Sequence, residues 1–190
     1  MRTGTVPGWT PSREHAVIQR AGSLGSQHLV LVGMMGAGKS TIGRLAAERL
    51  GRAFLDSDAI IEGRTGRTVR EIFAAEGEAA FRALESAVLL EALDSPQPCV
   101  IAAAGGVVLR EENRAALERA SARVVWLCAT PSLLTERVTS AGHRPLLDQD
   151  PSGVLQQMWI EREPLYREVA DAIVSVDGRS VHDVLEAVLR

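Results

Sequence analysis

Three groups of residues have the types and spacing to do chemistry. The first is Gly33-Met34-Met35-Gly36-Ala37-Gly38-Lys39-Ser40, of the form Gly-x-x-x-x-Gly-Lys-Ser. Glycines at Gly33, Gly36 and Gly38 let the backbone wrap round phosphates, so that successive N–H groups, that of Ala37 included, point inward. A helix opening at Lys39 adds a favourable dipole. Lys39 is then placed to reach the β- and γ-phosphates, and the Ser40 hydroxyl to meet Mg²⁺. The expected ligand is a nucleoside triphosphate. The second group is Asp56-Ser57-Asp58. In a strand-to-helix turn, carboxylates two apart can project into one cleft. One can hold Mg²⁺ through water, and the other can accept a hydroxyl proton. Equally, Asp56 or Ser57 can cap the next helix. The third group is four arginines, Arg82, Arg137, Arg144 and Arg162. Taken singly, each reads as a solvated surface group. Gly105-Gly106 is either a plain tight turn or a point where backbone approaches a ligand.

These residues need elements to hold them. His28–Val32 is an apolar run leading into the glycine loop, and Lys39–Leu50 has helical spacing up to Gly51. Ala53–Leu55 reads as a strand that delivers the Asp pair, with a helix starting near Ala59. Thr68-Val69-Arg70-Glu71 has the form of a capping box, and Glu78–Leu93 is a longer helix. Cys99–Ala103, Arg123–Cys128 and Ala172–Val176 are further strands. Glu111–Ala120, Pro131–Thr139, Val154–Val169 with Pro164 inside it, and Ser180–Leu189 are further helices. Ala141–Ser152 is polar and aperiodic. Five strands alternating with helices predict an α/β fold: a parallel five-stranded sheet in a three-layer α/β/α sandwich. Ligands should gather at the C-terminal ends of the strands.

Composition bounds the alternatives. The 190 residues suit one domain, expected over 28–190, with residues 1–27 as a flexible, Gly- and Pro-punctuated extension. With 21 basic and 24 acidic side chains the formal charge is −3, which argues against a nucleic-acid partner. No apolar run approaches the roughly 20 residues that span a bilayer, and no signal peptide is visible. Cys99 and Cys128 sit in apolar runs and read as buried thiols, so a reducing, cytoplasmic setting is the default. A GTPase would show Asn-Lys-x-Asp, which is absent, and a motor ATPase needs a longer chain. Size favours a small-molecule kinase.

From about Leu29 to Leu189 the chain resembles the shikimate kinase family, with its P-loop, nucleoside-monophosphate-kinase-like fold and mobile lid, here about 141–153. The resemblance rests on the glycine loop continuing into Ser40-Thr41-Ile42-Gly43, on Asp56 and Asp58, on Phe81-Arg82, on Arg144-Pro145-Leu146, and on Arg162-Glu163-Pro164-Leu165-Tyr166, all in the family's order. It implies transfer of a phosphoryl group from ATP, with Mg²⁺, to the 3-hydroxyl of shikimate, by a monomer. It also implies roles. Lys39, Asp58 and Arg144 are catalytic, Asp58 as the possible base and Arg144 as the lid arginine on the transferring phosphate. Ser40 and Asp56 serve the metal, Asp56 through water. Arg82 and Arg162 grip the shikimate carboxylate, which a guanidinium fork matches well. Gly105 and Gly106 approach the substrate. Gly33 to Thr41, Arg137, Arg144 and Asp177-Gly178-Arg179 contact the nucleotide.

One position departs from the family pattern. Ala104 stands where the first of three glycines is expected. If that position needs φ > 0, alanine costs about 1 kcal/mol and moves the backbone. That position leaves open a kinase for a related hydroxylated carboxylate or cyclitol, and a non-catalytic ligand sensor on the same fold is a separate alternative.

Overall fold

Strands buried on both faces are apolar for most of their length, and the three central strands are, apart from His28 and Arg123 near the starts of two of them. In the computed structural model, which describes residues 24–140 and 150–190, β1 (His28–Val32), β3 (Cys99–Ala102) and β4 (Ala122–Cys128) are buried at every residue. The edge strands β2 (Ala53–Asp56) and β5 (Ala172–Ser175) are only partly buried. All pairings are parallel, in the order β2-β3-β1-β4-β5. Expectations for residues 1–23 and for most of the lid, Arg144 among them, fall outside the described residues.

Seven helices are described. They are α1 (Lys39–Leu50), α2 (Ser57–Thr65), α3 (Val69–Leu93), α4 (Glu111–Arg119), α5 (Pro131–Ser140), α6 (Pro151–Val169) and α7 (Val181–Leu189). α1 packs on α7 and on β1 to β3, while α4 and α6 pack on β4 and on each other. The sheet therefore lies between two helix layers. A second, smaller apolar cluster of Ile61, Ile72, Phe81 and Val88 ties α2 to α3 beside the main core.

Local chemistry explains most boundaries. Thr68 and Glu71 form the expected capping box at the start of α3. The break before Glu78 is real: Gly77 adopts φ 81°, ψ 177° and kinks α3 there. α2 begins at Ser57, two residues before the position read from sequence, because Asp56 Oδ1 accepts from Asp58 and Ala59 N–H. α6 begins three residues early because Asp150 caps it and Pro151 takes the first turn. Residues 24–27 form a turn held to the domain: Leu24 is buried, and Arg52 donates to the carbonyls of Gly25 and Gln27.

Both cysteines are buried free thiols. Burial pushes Cys99 above its ordinary value and Cys128 up to about 12, so neither is a reactive thiolate.

Candidate active site

The C-terminal ends of the strands open into one cleft of about 1360 Å³. On one side lie Gly36, Ala37, Gly38, Lys39, Ser40 and Thr41; facing them are Asp56, Asp58, Arg82, Glu85, Gly105, Gly106 and Arg162; Arg137 and Arg179 line it as well. Residues spread from position 36 to position 179 thus meet at the sheet edge that doubly wound folds use for ligands. Gly33 does not line this cleft. It sits beneath the loop at φ 139°, where a Cβ would come 2.6 Å from the Leu127 carbonyl oxygen, so its part is to let the loop turn.

The phosphate loop leads into α1 through Gly38 at φ 95°. Lys39 Nζ donates to the Gly33 carbonyl at 2.7 Å and to Met34 at 3.0 Å, which curls the loop round the ammonium. Arg137 Nη1 braces the loop by donating to the Gly36 carbonyl at 3.1 Å. Arg179 donates to the carbonyls of Ser175 and Asp183 and is held at the junction of β5 and α7. Asp177, beside it, accepts from the Thr130 N–H and hydroxyl, tying the loops after β4 and β5 together.

Across the cleft, Arg82 is held by two carboxylates. Its Nη1 donates to Glu85 Oε2 at 2.6 Å, and its Nε and Nη2 to Glu78 Oε1 at 3.1 and 2.8 Å. Burial works against the charge on Arg82, but the two glutamates outweigh it and raise its pKa. Glu85 is 2% exposed. Burial pushes its carboxyl above the ordinary 4.5, and the charge on nearby Asp58 pushes the same way, against Arg82 and Arg162. Arg162, 5% exposed, donates to the Gly105 carbonyl at 3.4 Å and lies beside the Tyr166 hydroxyl and Glu85, and its Nε is buried with no hydrogen-bond partner among the described residues. A buried guanidinium nitrogen left unsatisfied in a cleft can take an acceptor from a ligand or a water.

Of the glycine pair, Gly106 has a steric cause and Gly105 does not. A Cβ on Gly106 would run into Nη1 and Cζ of Arg82. Ala104 causes no strain: no non-glycine residue in the described chain has positive φ, and Ala104 is packed at 3% exposure. The cost expected for alanine at that position does not arise.

The family model for shikimate kinase matches residues 35–190, most of the chain. The chain belongs to the shikimate kinase family. A shikimate kinase from Symbiobacterium thermophilum is 46% identical over 165 residues, covering 85% of this chain and 94% of that protein. One from Pseudomonas paraeruginosa is 47% identical over 163 residues, with coverages of 85% and 94%. Among solved structures, a shikimate kinase from Acinetobacter baumannii in complex with shikimate is 39% identical with a TM-score of 0.79, covering 87% of this chain and 92% of that one.

Against the shikimate kinase pattern, sequence reasoning missed two residues of this site, Glu85 and Tyr166. Glu85 lies three residues beyond Arg82, a spacing that pairs charges on a helix face. A carboxylate between Leu84 and Val88 was the available signal. Tyr166 donates its hydroxyl to the Gly105 carbonyl at 2.5 Å across 61 residues of chain, a pairing with no local signature.

Proposed function

We propose that this chain is a working shikimate kinase that moves the γ-phosphoryl group of ATP to the 3-hydroxyl of shikimate. The supporting observation is a single cleft shared by Lys39, Asp58, Arg82 and Arg162, in which Arg162 Nε is buried and unsatisfied. That combination suits a ligand pair with phosphates at one end and a carboxylate at the other.

Position supports a division of labour among the described residues, and the family pattern alone supplies the part of Arg144. The loop N–H groups and Lys39 take the phosphates, trading the lysine's bonds to Gly33 and Met34 for phosphate oxygens. Arg137 and Arg179 flank the purine end, next to the apolar Val176 and Val181. Arg162 and Arg82 hold the substrate carboxylate. Glu78 is well exposed and easily displaced from Arg82, whereas buried Glu85 stays and keeps the guanidinium in place. Asp58, on the first turn of α2, orients the acceptor hydroxyl and takes its proton. Arg144 neutralises charge spreading over the γ-oxygens.

The donor set fits Mg²⁺. Ser40 and Asp56 are hard oxygen donors, and Asp56 has one carboxylate oxygen free of its capping bonds. So sparse a protein shell suits an ion that keeps waters and takes phosphate oxygens. Bound there, Mg²⁺ would offset charge on the β- and γ-phosphates.

A monomeric state and a cytoplasmic setting belong to the same proposal. They are supported by a cleft assembled from one chain and by two buried, unreactive thiols. A coupled ADP-release assay with ATP and Mg²⁺ tests the function, comparing shikimate, quinate and gluconate. Turnover with shikimate alone is expected. Preference for gluconate or quinate would indicate a different acceptor, and no turnover with any of the three would favour a sensor.

A further inference from the structure

Tyr166 is 1% exposed on the face of α6 that meets the sheet. Its ring stacks on Trp126 of β4, with centroids 5.7 Å apart and planes 22° from parallel. The Arg167 guanidinium lies over the same Trp126 ring at 5.6 Å. The phenol's direction is therefore set by the core. Its hydroxyl donates to the Gly105 carbonyl at 2.5 Å, and Arg162 Nη1, one turn earlier on α6, donates to the same oxygen at 3.4 Å. Burial raises the phenol's pKa strongly, so it remains a donor throughout the neutral range.

What this bond restrains is a glycine–glycine peptide. Two adjacent glycines have the lowest barrier to rotating the plane between them, because neither carries a Cβ. The described peptides are all trans, so the Gly105 carbonyl and the Gly106 N–H point in opposite directions. Fixing the carbonyl on α6 thus fixes the N–H on the opposite edge. The Cα of Gly106 in turn lies against the Arg82 guanidinium. One peptide plane therefore connects α6, which carries Arg162, with α3, which carries Arg82.

We propose that Tyr166 is a positioning residue for the substrate: its hydroxyl locks the Gly105–Gly106 peptide against α6 and so sets the spacing of Arg82 and Arg162. It does this without touching the substrate, and without serving the nucleotide. The inference rests on the assignment of those arginines to a carboxylate substrate.

Tyr166→Phe removes one oxygen and keeps the ring stacked on Trp126. The shikimate KM should rise about fivefold, the worth of one buried hydrogen bond. The ATP KM and kcat should stay within about twofold, since Gly105 meets the phosphate loop at Gly33 and Met35 no closer than ordinary van der Waals contact. An unchanged shikimate KM would overturn the proposal, as would a parallel rise of both KM values. Arg167→Gln serves as the packing control. It loosens the Trp126 stack but keeps the hydroxyl, so shikimate KM should not move. A rise equal to that of Tyr166→Phe would mean that packing sets the affinity, and would also overturn the proposal. Wild-type turnover, measured in the same assay, separates the two levels. If the wild type ignores shikimate, the functional reading fails. If it turns shikimate over and Tyr166→Phe is indistinguishable from it, only this inference fails.

Discussion

Lys39 and Glu85 show how single side chains are prepared for their ligands. Lys39 Nζ is bonded to the carbonyls of its own loop, so the loop is curled round a cation before any phosphate arrives. Lys39→Met should leave the fold intact and lower kcat by about 10³ or more, measured as ADP release. Retained turnover would rule the lysine out of the transfer step. Glu85 makes a pH prediction. Its folded pKa lies above the ordinary 4.5, chiefly through burial. Folding therefore favours the neutral form, and ionisation of Glu85 removes stability as pH climbs through that window. For function the sign is reversed. As pH falls through the same window, Glu85 takes up a proton and stops anchoring Arg82, so shikimate KM should rise. Glu85→Gln should start from a higher KM and lose this part of the pH dependence. Equal slopes for the two proteins would assign the titration elsewhere, for instance to the substrate carboxylate.

Among elements, the decisive meeting is that of α3 with the turn after β3. Gly77 breaks α3, so the part from Glu78 onward can take its own direction past the cleft, with Phe81 and Val88 in the smaller core and Arg82 turned to the glycine pair. The approach is so close that a Cβ at position 106 would displace the Arg82 guanidinium. Gly106→Ala should force the Arg82 guanidinium off Glu85. The obstacle is the far end of a flexible side chain, so the chain should still fold, with a melting temperature within a few degrees of wild type. Shikimate KM should rise about tenfold with little change in the ATP KM. Full activity in this variant would mean that Arg82 does not work from the position it holds here.

For the molecule as a whole, Leu24 is already packed into the domain, and Arg52 secures the turn that follows it. Among the described residues the cleft lining starts at Met35. A chain beginning at Leu24 should therefore keep its kcat. At 100 times its Kd, ADP should stabilise either form by about 2.7 kcal/mol, a rise of roughly 5–10 °C in Tm. Loss of that shift on truncation would give the N-terminal residues a part in nucleotide binding.

Local chemistry is written in short stretches of chain, and those were legible without coordinates. The glycine loop, the capping box at Thr68 and Glu71, the largely apolar central strands and the parallel α/β order depend on neighbours a few residues apart. So does the pairing of Asp56 and Asp58, although capping by Asp56 started α2 earlier than its apolar spacing suggested. Ala104 was doubtful in sequence because φ cannot be read from a residue name; in the fold it takes an ordinary conformation. What had to wait for the three-dimensional arrangement was everything carried by long-range contact. Glu85 is buried because α3 packs against α2 and the turn after β3, glycine at position 106 leaves room for Arg82 to lie against it, and Tyr166 meets Gly105 from 61 residues away. Such contacts depend on how helices seat on a sheet, and packing distances between elements leave no period or spacing in the chain.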